Sequence, residues 1–202
     1  MAKSSIPTMF VIAGPNGSGK STLYETRIAP KLAIPFINAD HIQKHDLKDP
    51  TPEASYEAAR IAEERRRDFL KQGKSFVTES VFSHPSKLAL VRDAKAAGFR
   101  VVLFHISVRE PALSVVRVAE RVREGGHDVP PDKIRERYRR SAPLIRQVAL
   151  LADVAHVYDN SSLNQPPRRV LSFNNGNVEF IAEPLPDWVL QVYRGDRNSK
   201  GP

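Results

Sequence analysis

The chain has no cysteine. Disulfides, thiolate nucleophiles and cysteine-ligated metals are therefore excluded. No apolar stretch approaches the roughly 18 residues a membrane span needs, so none is expected. The opening MAKSSIPT lacks the apolar core of a secretory signal. Together these absences make a cytoplasmic location, where ATP is available, the expectation. Aromatic residues are scarce, at 7%, and most fall in apolar runs. A nucleic-acid surface interleaves exposed aromatics with Arg and Lys, so nucleic acid is not an expected partner. An LSGGQ-type signature helix is missing, as are the NKxD and DxxG motifs. That argues against a motor ATPase and against a GTPase switch.

What is present is a chain of 202 residues, 41% hydrophobic and 27% charged. This length suits one domain spanning 1–202 with a proper core. The net charge is +8, from 31 Lys and Arg against 23 Asp and Glu. Part of the excess is local. Arg117, Arg121, Arg123, Arg135, Arg137, Arg139, Arg140 and Arg146 crowd one stretch. Such a balance suits an anionic small substrate as well as it suits an acidic partner.

The most informative stretch is GPNGSGKST, Gly14 to Thr22, directly after the apolar run Met9-Phe10-Val11-Ile12-Ala13. It has the form G-x-x-x-x-G-K-[ST], a phosphate-binding loop between strand and helix. Gly14, Pro15, Asn16, Gly17, Ser18 and Gly19 would wrap backbone N–H groups around phosphates. Lys20 would reach the terminal phosphates, and the Ser21 hydroxyl would ligate Mg²⁺. The following helix aims its positive end at the same place. ATP and Mg²⁺ are the expected cofactors.

Strand and helix patterns alternate from there. Strands are expected at Thr8–Ala13, Pro35–Asn38, Ser75–Thr78, Phe99–Ile106 and Val154–Tyr158. Helices are expected from Gly19 to Arg27, Pro52 to Gln72, Pro85 to Ala97, Glu110 to Glu124 and Pro131 to Leu151. Val170–Phe173 and Asn177–Ile181 flank Asn174-Asn175-Gly176, a hairpin signal. Trp188 is placed on a short terminal helix, and the tail 196–202 reads as frayed. The prediction is an α/β fold of three layers, with a mostly parallel five-stranded sheet, a helical lid near 117–140 and a C-terminal hairpin.

Ligands in such sheets bind beyond the carboxyl ends of the strands. Asp40 and Glu79 fall there with the glycine-rich loop. Asp40 suits a general base that takes a hydroxyl proton, and it equally suits a helix N-cap. Glu79 reads as an acid directed at Mg²⁺ or substrate, or as a surface strand end. Ser80 and His84 could touch substrate or only shape the turn. Arg117 and Arg121 share a helix face. They read either as lid groups over the γ-phosphate or as a solvated face. His41 and His45 have a zinc-compatible spacing but lack the Glu of a metalloprotease helix. Asn160, in Asp159-Asn160-Ser161, could meet an adenine base or form a plain turn.

The assembly of blocks resembles the zeta-toxin-like kinases, including compact members labelled predicted ABC-type ATPases. The blocks are GPNGSGKST, Ile37-Asn38-Ala39-Asp40, Thr78-Glu79-Ser80, Arg117-x-x-x-Arg121-Val122 with Gly125-Gly126-His127-x-Val129-Pro130, Ile134-x-x-Arg137-Tyr138-x-Arg140-Ser141, and Tyr158-Asp159-Asn160-Ser161. The resemblance implies a P-loop kinase that phosphorylates UDP-N-acetylglucosamine on a sugar hydroxyl. It also implies a possible antitoxin partner. By that likeness Asp40 is the base, Glu79 the acid beside substrate and metal, and Ser80 a substrate neighbour. Arg121 and Arg137 are the lid arginines, with Arg117 and Arg140 as alternatives near the nucleotide. The chain lacks the Arg that often follows the base, having His41 instead. Other acceptors stay open: another nucleotide, a small molecule or a nucleic-acid end. A nucleotide-binding ATPase with little kinase activity is the further alternative.

Overall fold

The computed structural model describes residues 6–126 and 128–195. His127 of the Gly-Gly-His block and the tail 196–202 lie outside them. Strand β1 (Thr8–Ala13) alternates its side chains between two cores. Met9, Val11 and Ala13 enter the larger core, while Phe10 and Ile12 join a smaller one on the opposite face. Such two-sided burial is what a continuous apolar strand requires. The smaller core is roofed by α1 (Lys20–Leu23) and its π-type continuation Tyr24–Ile28, through Leu23 and Ile28.

The larger core is roofed by four helices: α3 (Pro52–Lys71), α4 (Ser86–Ala96), α6 (Pro131–Leu151) and α7 (Asp187–Tyr193). Helix α3 begins as expected, with Thr51 Oγ1 accepting from the Ala54 N–H at 3.3 Å and Pro52 in the first turn. Its buried stripe is Ala54, Ala58 and Ala62, small enough to let the helix lie close to the sheet.

The sheet order is β2-β3-β1-β4-β5-β6-β7. Strands β2 (Phe36–Ile37), β3 (Phe76–Ser80), β4 (Arg100–Ser107) and β5 (Val154–Asp159) run parallel to β1. The expected hairpin, β6 (Arg168–Asn174) and β7 (Asn177–Ile181), is not an appendage. Its first strand pairs antiparallel with β5, so the sheet has seven strands rather than five. A hairpin's turn is local information, but the edge it docks on is a tertiary choice.

Two boundaries also shift. β2 is shorter than expected: the Pro35 carbonyl accepts from Val77 N–H, but proline has no N–H to extend the ladder. β3 runs on through Glu79, which sits inside the strand. Helix α5 (Pro111–Arg123) and the first turns of α6 share a third small core of Val118, Val129 and Ile134. The expected lid region therefore carries apolar packing of its own.

Candidate active site

The loop after β1 is held against the sheet at closest range. A Cβ at Gly14 would lie 1.9 Å from the Ile106 carbonyl oxygen, so no side chain fits there. Gly19 has φ 91°, a left-handed conformation that glycine adopts without strain. It is followed directly by α1. The Asn160 side chain donates to the Ser18 carbonyl at 2.9 Å and ties the loop to the end of β5.

Lys20 Nζ donates to the Pro15 carbonyl at 3.0 Å and stands 3.9 Å from Glu79 Oε1. Ser21 Oγ donates to Glu79 Oε2 at 3.2 Å. Both Lys20 and Glu79 are largely buried. Burial lowers the Lys20 pKa, against the pull of Glu79 and Asp40, and Arg121 adds to the lowering. Burial likewise raises the Glu79 pKa, Lys20 opposes it and Asp40 reinforces it. The Ser21 and Asn38 hydrogen bonds hold the carboxylate form. Lys20 of the loop and Glu79 of β3 thus stand near one another.

Asp40 sits in the first turn of α2 (Ala39–Ile42) and faces the cleft. It is not the cap. Asn38 Oδ1 accepts from the His41 N–H at 3.1 Å, so the N-cap is two residues earlier. That leaves the Asp40 carboxylate available to a ligand. The cleft has a volume of about 580 Å³, the size of a small-ligand site. Asp40 and Glu79 face it with Lys20, Ser21, Thr22 and Asn16. Arg117, Arg121 and Arg137 line it from α5 and α6.

The donor set fits nucleotide and metal. Hard oxygen donors, the Ser21 hydroxyl and the Glu79 carboxylate, converge beside an anion-binding loop, which is the chemistry Mg²⁺ takes with phosphates. Among the described residues, Asn16 Oδ1 and Ser18 Oγ are buried without a hydrogen-bond partner. Those unmet groups lie in the loop itself.

The sequence model of the zeta toxin family matches residues 1–165. The chain belongs to the zeta toxin family. An uncharacterised protein of Haemophilus influenzae is 33% identical over 126 residues, covering 62% of this chain and 88% of its own length. Among solved structures, the AvrRxo1-ORF1:-ORF2 complex with ATP superposes with a TM-score of 0.65 at 17% identity, covering 88% of this chain and 61% of that one. The PezAT toxin–antitoxin system of Streptococcus pneumoniae gives a TM-score of 0.64 at 16% identity, covering 95% of this chain and 80% of that one. At such identities these two likenesses show the fold alone. The chain spans about three-fifths of the chain it matches in the AvrRxo1-ORF1:-ORF2 complex.

Within this zeta-toxin fold, most expected site residues meet. Arg140 does not. Its guanidinium pairs with Glu136 at 2.9 Å on the exposed side of α6. Arg117 lines the cleft, but its Nη1 donates to the Asn160 carbonyl at 2.7 Å. It fastens α5 to the β5 end. Ser80 Oγ accepts from the Phe82 N–H at 3.0 Å and shapes the turn after Glu79. His84 Nδ1 meets Ser86 Oγ, again within a turn. The His41 and His45 rings lie against one another at a tilt of 37°, with centroids 4.3 Å apart. Among the described residues no group of three or more His, Cys, Asp or Glu is placed to hold a metal. Among them too, no helix is long and apolar enough to cross a membrane.

Sequence reasoning missed Arg66, Ser83 and Lys87, which also line the cleft. For Arg66 a signal existed. It continues the i, i+4 series Ala54, Ala58, Ala62, so a charge falls on a buried stripe.

Proposed function

We propose that this protein is an ATP-dependent kinase that transfers the γ-phosphoryl group to a hydroxyl of a small anionic acceptor, a UDP-activated amino sugar such as UDP-N-acetylglucosamine. The reading is supported above all by Asp40. It is a carboxylate relieved of capping, in the same cleft as Lys20, Ser21 and Glu79 and facing lid arginines.

Gly14 to Ser21 and Lys20 bind and orient the nucleotide phosphates. Ser21 and Glu79 would hold Mg²⁺, which neutralises phosphate charge when bound. The acceptor hydroxyl lies against Asp40, and its oxygen forms the new bond to the γ-phosphorus. The bond from that phosphorus to the β,γ-bridging oxygen breaks, and ADP leaves with the electron pair. Asp40 takes the hydroxyl proton. Arg121 and Arg137 spread over the transferring group and neutralise its charge. The stretch 117–140 acts as the lid that excludes water.

Within this reading 1–202 works as one kinase domain, in the cytoplasm. A cognate antitoxin is the expected protein partner, as in the two-component complexes that share the fold. The test is incubation with γ-labelled ATP and a panel of UDP-sugars, nucleotides and RNA ends. Label on UDP-N-acetylglucosamine is the expected result. Label on RNA alone overturns the reading.

A further inference from the structure

Two pairs of cations in the cleft differ in how they are held. Lys20 has Pro15 and Glu79, and Arg117 has the carbonyls of Asn160 and Ser162. Arg66, on α3, is only 5% exposed. Among the described residues its guanidinium makes no hydrogen bond and no ion pair. The carboxylate one turn back, Glu63, is already paired with Arg67 on the outer surface. Lys87, on α4, lines the same cleft and likewise has no hydrogen bond or ion pair among the described residues.

The two pairs are also electrically separate. Lys20 feels Glu79, Asp40 and Arg121. Lys87 feels Arg66 and Glu63. Burial lowers the pKa of both Arg66 and Lys87 and Arg66 lowers that of Lys87 further, while Glu63, from beyond the cleft lining, opposes both shifts without outweighing them. Burying a cation without a partner is costly, and placing a second cation beside it adds repulsion. Among the described residues, no carboxylate lining the cleft pairs with either cation at this end. Ala59 and Ser83 contribute only a methyl and a hydroxyl to the adjoining walls. What relieves such an arrangement is an anion from outside.

We propose that Arg66 and Lys87 form a second anion subsite of the cleft, distinct from the P-loop, which receives a phosphoryl group carried by the acceptor. That the bound group belongs to an acceptor rests on the kinase reading above. That a second phosphoryl group binds there does not. With Asp40 between the two ends in chemical role, the subsite would select acceptors that bring their own phosphate. Neutral sugars of the same shape would be left without an anchor.

The test uses the full chain saturated with Mg²⁺ and a non-hydrolysable ATP analogue, which fills the P-loop and γ-position. Inorganic phosphate is then titrated by calorimetry. Wild type is expected to bind one further phosphate, and Arg66→Gln and Lys87→Gln to weaken it roughly tenfold or more each. Absence of that site in wild type, or unchanged affinity in both variants, overturns the proposal. A second arm measures kcat/KM for acceptors in phosphorylated and unphosphorylated pairs. Wild type should favour the phosphorylated member by about 30-fold or more, and Arg66→Gln should collapse that preference. A panel that yields no labelled product sinks the kinase reading but leaves the phosphate titration to decide the subsite. Thermal melting guards against misfolding. Arg66→Met should melt no lower than wild type, because a buried charge without a hydrogen-bonded partner among the described residues is gone. A fall of more than ~5 °C would make Arg66 a structural group and overturn the assignment.

Discussion

The two ends of the cleft are built on opposite plans. At the P-loop end, Lys20, Ser21 and Asn160 already have protein partners. Lys20 is held by Pro15 and Glu79, Ser21 by Glu79, and Asn160 ties the loop to β5. At the far end, Arg66 and Lys87 stand near one another with no ion pair among the described residues. The first plan lowers the ordering cost of seating phosphates, because the loop and its lysine are already held in place. The second sets two cations side by side with only Glu63, itself paired with Arg67, to offset them, and an anion from outside would relieve the rest. A nucleotide end can be prepared in advance because its ligand is always the same triphosphate. An acceptor end whose cations have no hydrogen-bonded or ion-paired partner among the described residues discriminates by what it rejects: any molecule that fails to bring an anion.

The contrast between the two ends can be broken at several points. The largest effect is expected at Asp40, which lines the same cleft. Asp40→Asn should lower kcat by roughly 10²–10⁴-fold while leaving ATP affinity near wild type, read by single-turnover transfer and nucleotide titration. Full activity in that variant would remove the base. Lys20→Met should cost roughly 10²–10³-fold in transfer, and unlike Asp40→Asn it should weaken ATP binding as well.

The third test sits behind the P-loop. His105 is buried, its pKa pushed down to about 3 by burial, and its Nδ1 is 2.7 Å from the Tyr193 hydroxyl. Its folded pKa lies below the unfolded value, so the unfolded chain takes up the proton first. Stability is whole above pH ~6.5 and is lost as pH falls toward ~3, by a few kcal/mol over that window. Urea titrations at pH 7 and pH 4.5 should show the loss, and His105→Gln should flatten it. The smallest effect is expected at Arg140, whose exposed pair with Glu136 is worth under ~1 kcal/mol. Arg140→Ala should leave nucleotide affinity and melting temperature almost unmoved, whereas Arg137→Ala should weaken transfer.

Much of the fold was readable in the chain itself. The P-loop carries its geometry in its glycines, and α6 begins and ends where its proline and apolar period placed it, at Pro131 and Leu151. Elsewhere the signal was local and the answer was not. Asn38-Ala39-Asp40 offers two oxygens that can cap the same helix, and backbone geometry decides between them. Arg137 and Arg140 differ by about 60° around α6, enough to send one to the cleft and the other to Glu136. The hairpin's turn was legible, but its docking on β5 required knowing which sheet edge was open. Arg66 was visible on the buried stripe of α3. A cation there needed an explanation, and the pattern of alanines around it drew attention away.

The stretch that matches the zeta toxin family ends at residue 165, before β6, β7 and α7. Yet the site leans on the last of these elements. Trp188 Nε1 donates to Asp159 at 2.8 Å, one residue from the Asn160 that grips the P-loop, and Tyr193 supplies the buried partner of His105. A boundary drawn by likeness and a boundary drawn by mechanical support are therefore different lines on this chain. Anyone grafting the matched stretch onto another protein would carry over the motif residues and leave their foundations behind.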